Sequence, residues 1–182
     1  SGRHSPAVSL QTWPVGHGAP HGSVSHTPRR QRSPVGQGTS AQLATHRRAS
    51  EALYRIKDRA FDAARRAVGR GERITEYDLQ QQMVRWFEEE GLVSDSAPVV
   101  AVAANAGDPH YLPAADRAAA ISADQVLLLD LWGKVAESGA VFADITWVGF
   151  TGARVPATTA QAFDAIVRAR GAAVELVEES AT

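Results

Sequence analysis

The spacing of apolar residues predicts an amphipathic helix in the first half of the chain. Between Ala41 and Val68, apolar side chains recur every three or four positions, and Lys and Arg occupy the opposite face. The helix should end at Gly69–Gly71, because glycine favours helix termination. The recurring apolar residues are Leu53, Ile56, Ala60, Ala64 and Val68.

A second helix should begin at Thr75. A threonine followed three residues later by an acid, here Asp78, is typical of a capping box. Gly91 should end this helix. Its apolar stripe consists of Leu79, Met83, Trp86 and Phe87.

After Pro98 the pattern changes to short β-prone runs, followed by one more helical stretch that starts at Thr158 or Thr159. The resulting order, α-α-β-β-β-α, predicts an α+β fold in which the last two strands form an antiparallel hairpin. The predicted strands span Val99–Ala103, Val126–Leu131 and Val141–Phe150.

The first 40 residues differ in composition from the rest. They are rich in Gly, Pro, Ser and His and have no apolar periodicity, so they cannot bury enough surface to offset the entropy of ordering. We expect residues 1–40 to be a disordered tail and residues 41–182 to be the folded part.

Composition and charge exclude several functional classes. The chain has no cysteine, which excludes disulfides, cysteine-ligated metals and a thiol nucleophile. The net charge is −1, so the chain is not a polycation made for nucleic acid. The apolar runs are too short to span a membrane. Any metal must therefore be bound by Asp, Glu or His.

Asp130 and Asp144 are the most informative pair of polar residues, because each interrupts an apolar strand of the predicted hairpin. With the turn centred at Glu137–Ser138, Asp130 should lie opposite Asp144 or its immediate neighbour. Two carboxylates at so short a distance repel each other and lose part of their hydration. A bound divalent cation such as Mn²⁺ relieves this conflict best, but two solvated strand ends or a shared proton would also do so.

His110 follows Asp108 and Pro109 in a predicted loop. It is either a general acid/base or substrate-orienting imidazole, or an exposed loop histidine, and the local sequence favours the second interpretation. Trp132 and Trp147, close to the two aspartates, are expected to be packing residues.

Four segments of the chain together resemble the pita-bread metallopeptidases, peptidase family M24, which includes aminopeptidase P, prolidase, methionine aminopeptidase and creatinase. The resemblance runs from about His46 to the C-terminus and is closest to the Xaa-Pro peptidase branch. The segments that carry it are Thr75–Asp78, Asn105–Tyr111, Leu128–Asp130 and Ala143–Thr146.

The resemblance implies a metal-dependent aminopeptidase or dipeptidase that cleaves N-terminal peptide bonds with a hydroxide bridging two divalent metals. Mn²⁺ is the expected metal, with Co²⁺ or Zn²⁺ as alternatives. Asp130 matches the aspartate that chelates one metal, and Asp144 matches the aspartate that bridges both. His110 matches the histidine that contacts the substrate and helps to stabilise the tetrahedral intermediate.

Two features depart from the family pattern. The two aspartates are fourteen residues apart, a wider spacing than is usual in the family, and the extra residues fit in the turn. The remaining family ligands, one His and two Glu, have no counterpart after Asp144. We therefore expect residues 41–182 to form the N-terminal half of an M24-type catalytic domain, a partial pita-bread fold that is inactive alone.

A non-catalytic pita-bread protein that binds a protein or nucleic-acid partner is the alternative function. For the peptidase we expect a peptide substrate, a cytoplasmic location, no membrane association, no nucleic-acid partner and a homo-oligomeric full-length protein.

Overall fold

A computed structural model describes residues 11–14 and 39–180 of the chain. Three helices and an antiparallel sheet make up this part, which confirms the predicted α+β class. The elements are β1 (Gln11–Pro14), α1 (Ser40–Arg70), α2 (Glu76–Glu89), β2 (Leu92–Val93), β3 (Val99–Val102), a 3₁₀ turn (Ala103–Gly107), β4 (Val126–Val135), β5 (Ala143–Phe150) and α3 (Ala157–Ser180).

Helix α1 has the predicted position, and both of its ends are capped. The Thr39 hydroxyl accepts a hydrogen bond from the Gln42 backbone N–H, and the Gln42 side chain accepts one from the Thr39 N–H. Gly71 ends the helix with a φ of 68°, a left-handed conformation that glycine adopts without steric cost. The apolar stripe of α1 is buried, including Leu53 and Ile56.

Helix α2 begins at the predicted capping box. The Thr75 hydroxyl accepts from the Asp78 N–H at 3.1 Å, and Asp78 Oδ2 accepts from the Thr75 N–H at 2.9 Å. Hydrogen bonds from the Thr75 hydroxyl and backbone lower the pKa of the Asp78 carboxyl. This box fixes where α2 starts and therefore where Glu76, its first residue, is placed.

The long strand β4 organises the sheet. β5 pairs along one edge of β4, and both β2 and β3 pair along the other edge, each antiparallel to β4. The three predicted strands are present as β3, β4 and β5. The two-residue strand β2 was not predicted, because two residues carry no detectable alternation.

Alternation along β4 divides its side chains between two faces. Leu127, Leu129 and Leu131 are fully buried and belong to the core that the sheet forms with α1 and α2. Leu128, Asp130 and Trp132 point to the opposite face and are half-buried. We call this opposite side of the sheet the outer face. Asp130, the candidate metal ligand on β4, therefore lies on the outer face.

Strand β1 is an exception to the predicted disorder of residues 1–40. Gln11–Pro14 pair antiparallel with Trp147–Phe150 along the free edge of β5. Composition does not reveal such a strand, because its stability comes from its partner. Backbone pairing with an edge already formed offsets the entropy cost of ordering four residues. Residues 1–10 and 15–38 lie outside the described residues, so disorder there remains a prediction.

Helix α3 confirms the predicted last helix but starts at Ala157 and buries none of its described side chains. Ile166, Leu176 and Val177 are each more than half exposed. Among the described helices, none is long and apolar enough to cross a membrane.

We predict that the two faces of β4 differ in their contribution to stability. Leu129→Ala removes a fully buried side chain and should lower the free energy of unfolding by about 2–5 kcal/mol. Leu128→Ala, the matched control one residue earlier, should cost clearly less because Leu128 is only half-buried on the outer face. Urea denaturation of both variants measures the difference, and equal losses would contradict the assignment of faces.

Candidate functional site

Asp130 and Asp144 both lie on the outer face, on neighbouring strands, but they are not directly opposed. Asp130 pairs with Thr146, and Asp144 pairs with Trp132. The predicted pairing of Asp130 with Asp144 or its immediate neighbour is therefore wrong. The aspartates are diagonal neighbours, a relation that places Cα atoms about 7–8 Å apart in antiparallel sheets.

The turn explains the difference in register. The Ala140 N–H donates to the Glu137 carbonyl at 3.2 Å, and Gly139, the third residue of this turn, has a φ of 73°. A left-handed residue at the third position is the requirement of a type II turn, and glycine meets it without steric cost. The hairpin is consequently centred one half-residue further along the chain than predicted, which puts both aspartates on the same face.

Asp130 has a neutral partner across the strand pair. The Thr146 hydroxyl donates to Asp130 Oδ1 at 2.6 Å, and both side chains are partly buried. Asp144 is exposed two pairs further toward the turn, opposite Trp132. The diagonal offset and the Thr146 hydroxyl reduce the charge conflict that direct opposition would create, so the two carboxylates can share a face without a bound cation.

A cleft of about 280 Å³ opens beside Asp130 on the outer face. One wall is the segment Asn105–Pro109, and another is formed by β3 and the hairpin. The cleft brings together residues of three of the segments singled out in the sequence, Asn105–Tyr111, Leu128–Asp130 and Ala143–Thr146. Its lining consists of Val99, Ala101, Asn105, Ala106, Gly107, Asp108, Pro109, Leu128, Asp130 and Thr146.

His110 follows directly on the wall of this cleft and is exposed. Its backbone N–H donates to Asp108 Oδ1 at 2.9 Å, and the Tyr111 N–H donates to the Asp108 carbonyl at 3.1 Å. These two bonds form a tight turn that fixes the backbone on either side of His110. A role for its imidazole in chemistry remains a prediction.

Side-chain hydrogen bonds connect the turn of the β4–β5 hairpin to the first half of α1. His46 Nδ1 lies 2.9 Å from the Phe142 carbonyl oxygen and must donate to it, since a carbonyl only accepts. Arg48 makes two hydrogen bonds of 2.7 Å to the Glu137 carboxylate, which lower the pKa of Glu137. The turn that precedes β5, in which Asp144 is the second residue, is thus held on both sides.

Trp147 packs against the core, as predicted, whereas Trp132 lies on the outer face and its role in packing remains a prediction. The Trp132 indole N–H donates to Asp95 Oδ1 at 2.7 Å and ties β4 to the loop before β3. Trp147 lies on the core side against Tyr54, and the Lys57 ammonium lies 3.9 Å from its ring centroid.

The donor set on the outer face suits part of a metal site. Within residues 11–14 and 39–180, no group of three or more His, Asp or Glu is arranged to hold a metal ion. Two aspartate carboxylates on rigid neighbouring strands nevertheless provide the hard oxygen donors that Mn²⁺ prefers. Their role as metal ligands therefore remains a prediction that the chemistry of the donors fits.

Glu76 is a feature of the site that the sequence analysis missed. Its side chain is fully buried, yet it accepts hydrogen bonds from the Val102 N–H at 2.7 Å and the Ala119 N–H at 2.8 Å. Asn105 Nδ2 donates at 3.0 Å, and the Tyr111 hydroxyl donates at 2.5 Å. In the sequence, an acid in the first turn of a helix is explained by the helix dipole alone, which hid this role.

Tyr111 shows the electrostatic effect of the buried carboxylate. Desolvation, followed by the hydrogen bond to Glu76 and its negative charge, raises the pKa of Tyr111 to about 12, and Arg117 opposes this shift. The phenol therefore remains a hydrogen-bond donor throughout the neutral and mildly alkaline range.

We predict that Tyr111 makes the protein sensitive to alkaline pH. An unfolded tyrosine loses its proton near pH 10. Because the folded pKa is about 12, the stabilisation is fully present below pH 10 and is lost as the pH rises towards 12. The free energy of unfolding should thus fall more steeply over this interval in the wild type than in Tyr111→Phe. Parallel pH profiles of the two proteins would contradict the prediction.

A family model matches most of the chain. The model of the family described as Metallopeptidase family M24 matches residues 45–182, which include Glu76, His110, Asp130 and Asp144. No curated protein matches the chain. The family match covers well over half of the sequence, and it includes all the residues that line the cleft beside Asp130. The chain belongs to metallopeptidase family M24.

Proposed function

We propose that the chain contributes to a metal-dependent exopeptidase that removes residues from the N-terminus of peptides, with a preference for Xaa-Pro bonds. Membership of a metallopeptidase family supports peptide hydrolysis in general. The observation that carries the more specific proposal is the placement of Asp130 and Asp144 on one face of two paired strands, beside a cleft.

In this proposal Asp130 and Asp144 hold divalent metal, with Mn²⁺ the expected ion. When bound, the metal supplies Lewis-acid polarisation and activates water for attack on the peptide carbonyl. The Thr146 hydroxyl orients the Asp130 carboxylate through its 2.6 Å hydrogen bond, leaving the second oxygen of Asp130 available as a ligand.

The cleft would receive the substrate. Its walls are mostly apolar, with Val99, Ala101 and Leu128 near Asp130, and can accept a compact apolar residue such as proline. His110, at the end of the cleft wall, would donate a hydrogen bond or proton toward the reacting carbonyl. A peptide bound along the cleft would thus extend from the carboxylates toward His110.

Two carboxylates alone coordinate a dinuclear metal site incompletely. We propose that the remaining ligands lie outside the described residues and that the described part binds metal weakly and has little activity by itself.

The first test concerns metal binding. Titration of Mn²⁺ into the 182-residue chain, followed by electron paramagnetic resonance, should show weak binding that Asp130→Asn and Asp144→Asn each reduce. Asp116→Asn removes an exposed carboxylate outside the cleft and is the matched control, which should bind as the wild type does. Binding that is unchanged in both site variants would place the metal elsewhere and contradict the proposal.

The second test concerns catalysis in a protein that contains these residues within a complete M24 domain. With added Mn²⁺, Ala-Pro peptides should be hydrolysed faster than Ala-Ala peptides. Asp130→Asn should abolish metal binding and turnover together. His110→Ala should leave metal affinity unchanged and lower kcat by about 10²–10⁴-fold, the usual contribution of a positioned acid or base.

Two outcomes of that assay would contradict the proposal. Turnover that survives EDTA would exclude the metal mechanism. Absence of turnover on every peptide, with metal bound, would favour the binding-protein alternative.

A further inference from the structure

The Glu76 carboxylate is buried at a cost that its surroundings must offset. Taking an ionised carboxylate out of water is strongly unfavourable unless hydrogen bonds replace its hydration. A carboxylate has about four acceptor positions. Four neutral donors, those of Val102, Asn105, Tyr111 and Ala119, meet them at 2.5–3.0 Å. Each acceptor position of the carboxylate has a donor, so the surroundings of Glu76 are arranged specifically for a carboxylate.

The donors that Glu76 engages all belong to one segment of the chain, residues 102–119. Val102 is the last residue of β3, Asn105 lies in the 3₁₀ turn, and Tyr111 follows His110 directly. A single side chain therefore holds the segment before, within and after the wall of the cleft. We call this arrangement the Glu76 clamp.

The end of the same segment is tied to the start of α2 by backbone bonds. The Glu76 N–H donates to the Ala119 carbonyl at 3.0 Å, and the Ile121 N–H donates to the Ile74 carbonyl at 2.9 Å. The end of the segment is thus hydrogen-bonded to the residues at the start of α2. Its middle, which carries Asp108, Pro109 and His110, contains the local turn at Asp108 and is joined to α2 by the side-chain bonds of the clamp.

We propose that Glu76 is a positioning residue for His110: the clamp holds residues 105–111 so that the imidazole is kept at a fixed distance from the Asp130 end of the cleft. This inference rests on the proposed function, because it gives His110 a purpose beside the proposed metal ligands. Glu76 itself is buried behind the segment and acts only through Asn105, Tyr111 and the backbone.

A glutamine cannot replace Glu76 in this role. Glutamine keeps one acceptor oxygen, which can serve Val102 and Asn105, but it presents an NH₂ group to the Ala119 N–H and the Tyr111 hydroxyl. The Tyr111 hydroxyl can turn and accept from this NH₂ group, but the Ala119 N–H then faces a donor, and the opposite orientation of the amide leaves the Val102 N–H facing one. In either orientation the segment loses one backbone bond to residue 76. Glu76→Gln should therefore move or loosen His110 while changing the volume of the core very little.

The test measures the position of His110 relative to bound Mn²⁺ by NMR of the histidine-labelled 182-residue chain. His110 is assigned with a His110→Gln variant. Paramagnetic broadening falls with the sixth power of distance, so it reports small displacements. In the wild type, Mn²⁺ should broaden the His110 ring signals. Glu76→Gln should reduce that broadening with Mn²⁺ affinity unchanged, and Tyr111→Phe, which removes one donor and keeps the carboxylate, should reduce it too.

Gln80→Leu is the matched control. Gln80 is a buried polar residue one turn further along α2, and its Nε2 donates to the Pro98 carbonyl at 2.8 Å. This bond ties α2 to the other end of β3, away from His110. Gln80→Leu should destabilise the protein without changing the broadening at His110. Equal loss in Gln80→Leu and Glu76→Gln would show a general structural effect and overturn the inference.

The outcomes separate this inference from the proposed function. If Mn²⁺ binds and broadens His110 equally in the wild type and in Glu76→Gln, the clamp does not position His110, while the metal proposal stands. If Mn²⁺ does not bind at all, the metal proposal fails. Amide hydrogen exchange over residues 103–111 then tests whether the clamp holds the segment that carries His110. Faster exchange there in Glu76→Gln, or in Tyr111→Phe if Glu76→Gln does not fold, but not in Gln80→Leu supports it. Unchanged exchange overturns it.

Discussion

The alternation of side chains along β4 is the constraint on which the rest of the structure depends. Three leucines on one side of this strand are buried against α1 and α2, and Asp130 is on the other side. A slip of one residue in register would bury the aspartate and expose the leucines. The hydrophobic core therefore fixes the register of β4, and that register places Asp130 on the outer face. Stability and the proposed chemistry depend on the same pairing, which makes the position of Asp130 insensitive to changes elsewhere on the surface.

The register also determines how the two aspartates are related. Direct opposition would make them repel each other, whereas the observed diagonal arrangement gives Asp130 the Thr146 hydroxyl as its partner. This arrangement places two carboxylates on one face without direct opposition. The half-buried apolar residues around Asp130 lower the exposure of its carboxylate to water and strengthen its interaction with any charge that binds there.

Local signals in the sequence were sufficient to predict the helices. The capping box at Thr75 and the left-handed glycine at Gly71 depend only on neighbouring residues, and both are present as predicted. The pairing of β4 and β5 was wrong by one position, because register depends on the geometry of the turn at Gly139 and not on the strands alone. Strands β1 and β2 escaped prediction because their existence depends on edges formed by distant parts of the chain. Glu76 escaped for a related reason, since its donors lie 26–43 residues away.

The central claim is that the outer face of the β4–β5 hairpin binds a divalent metal through Asp130 and Asp144. A crystal structure of the protein grown with Mn²⁺, with data collected at the manganese absorption edge, tests it most directly. The account predicts an anomalous peak within coordination distance of both carboxylates, beside the cleft lined by Asn105–Pro109. A peak elsewhere on the protein, with both carboxylates unligated, would contradict it.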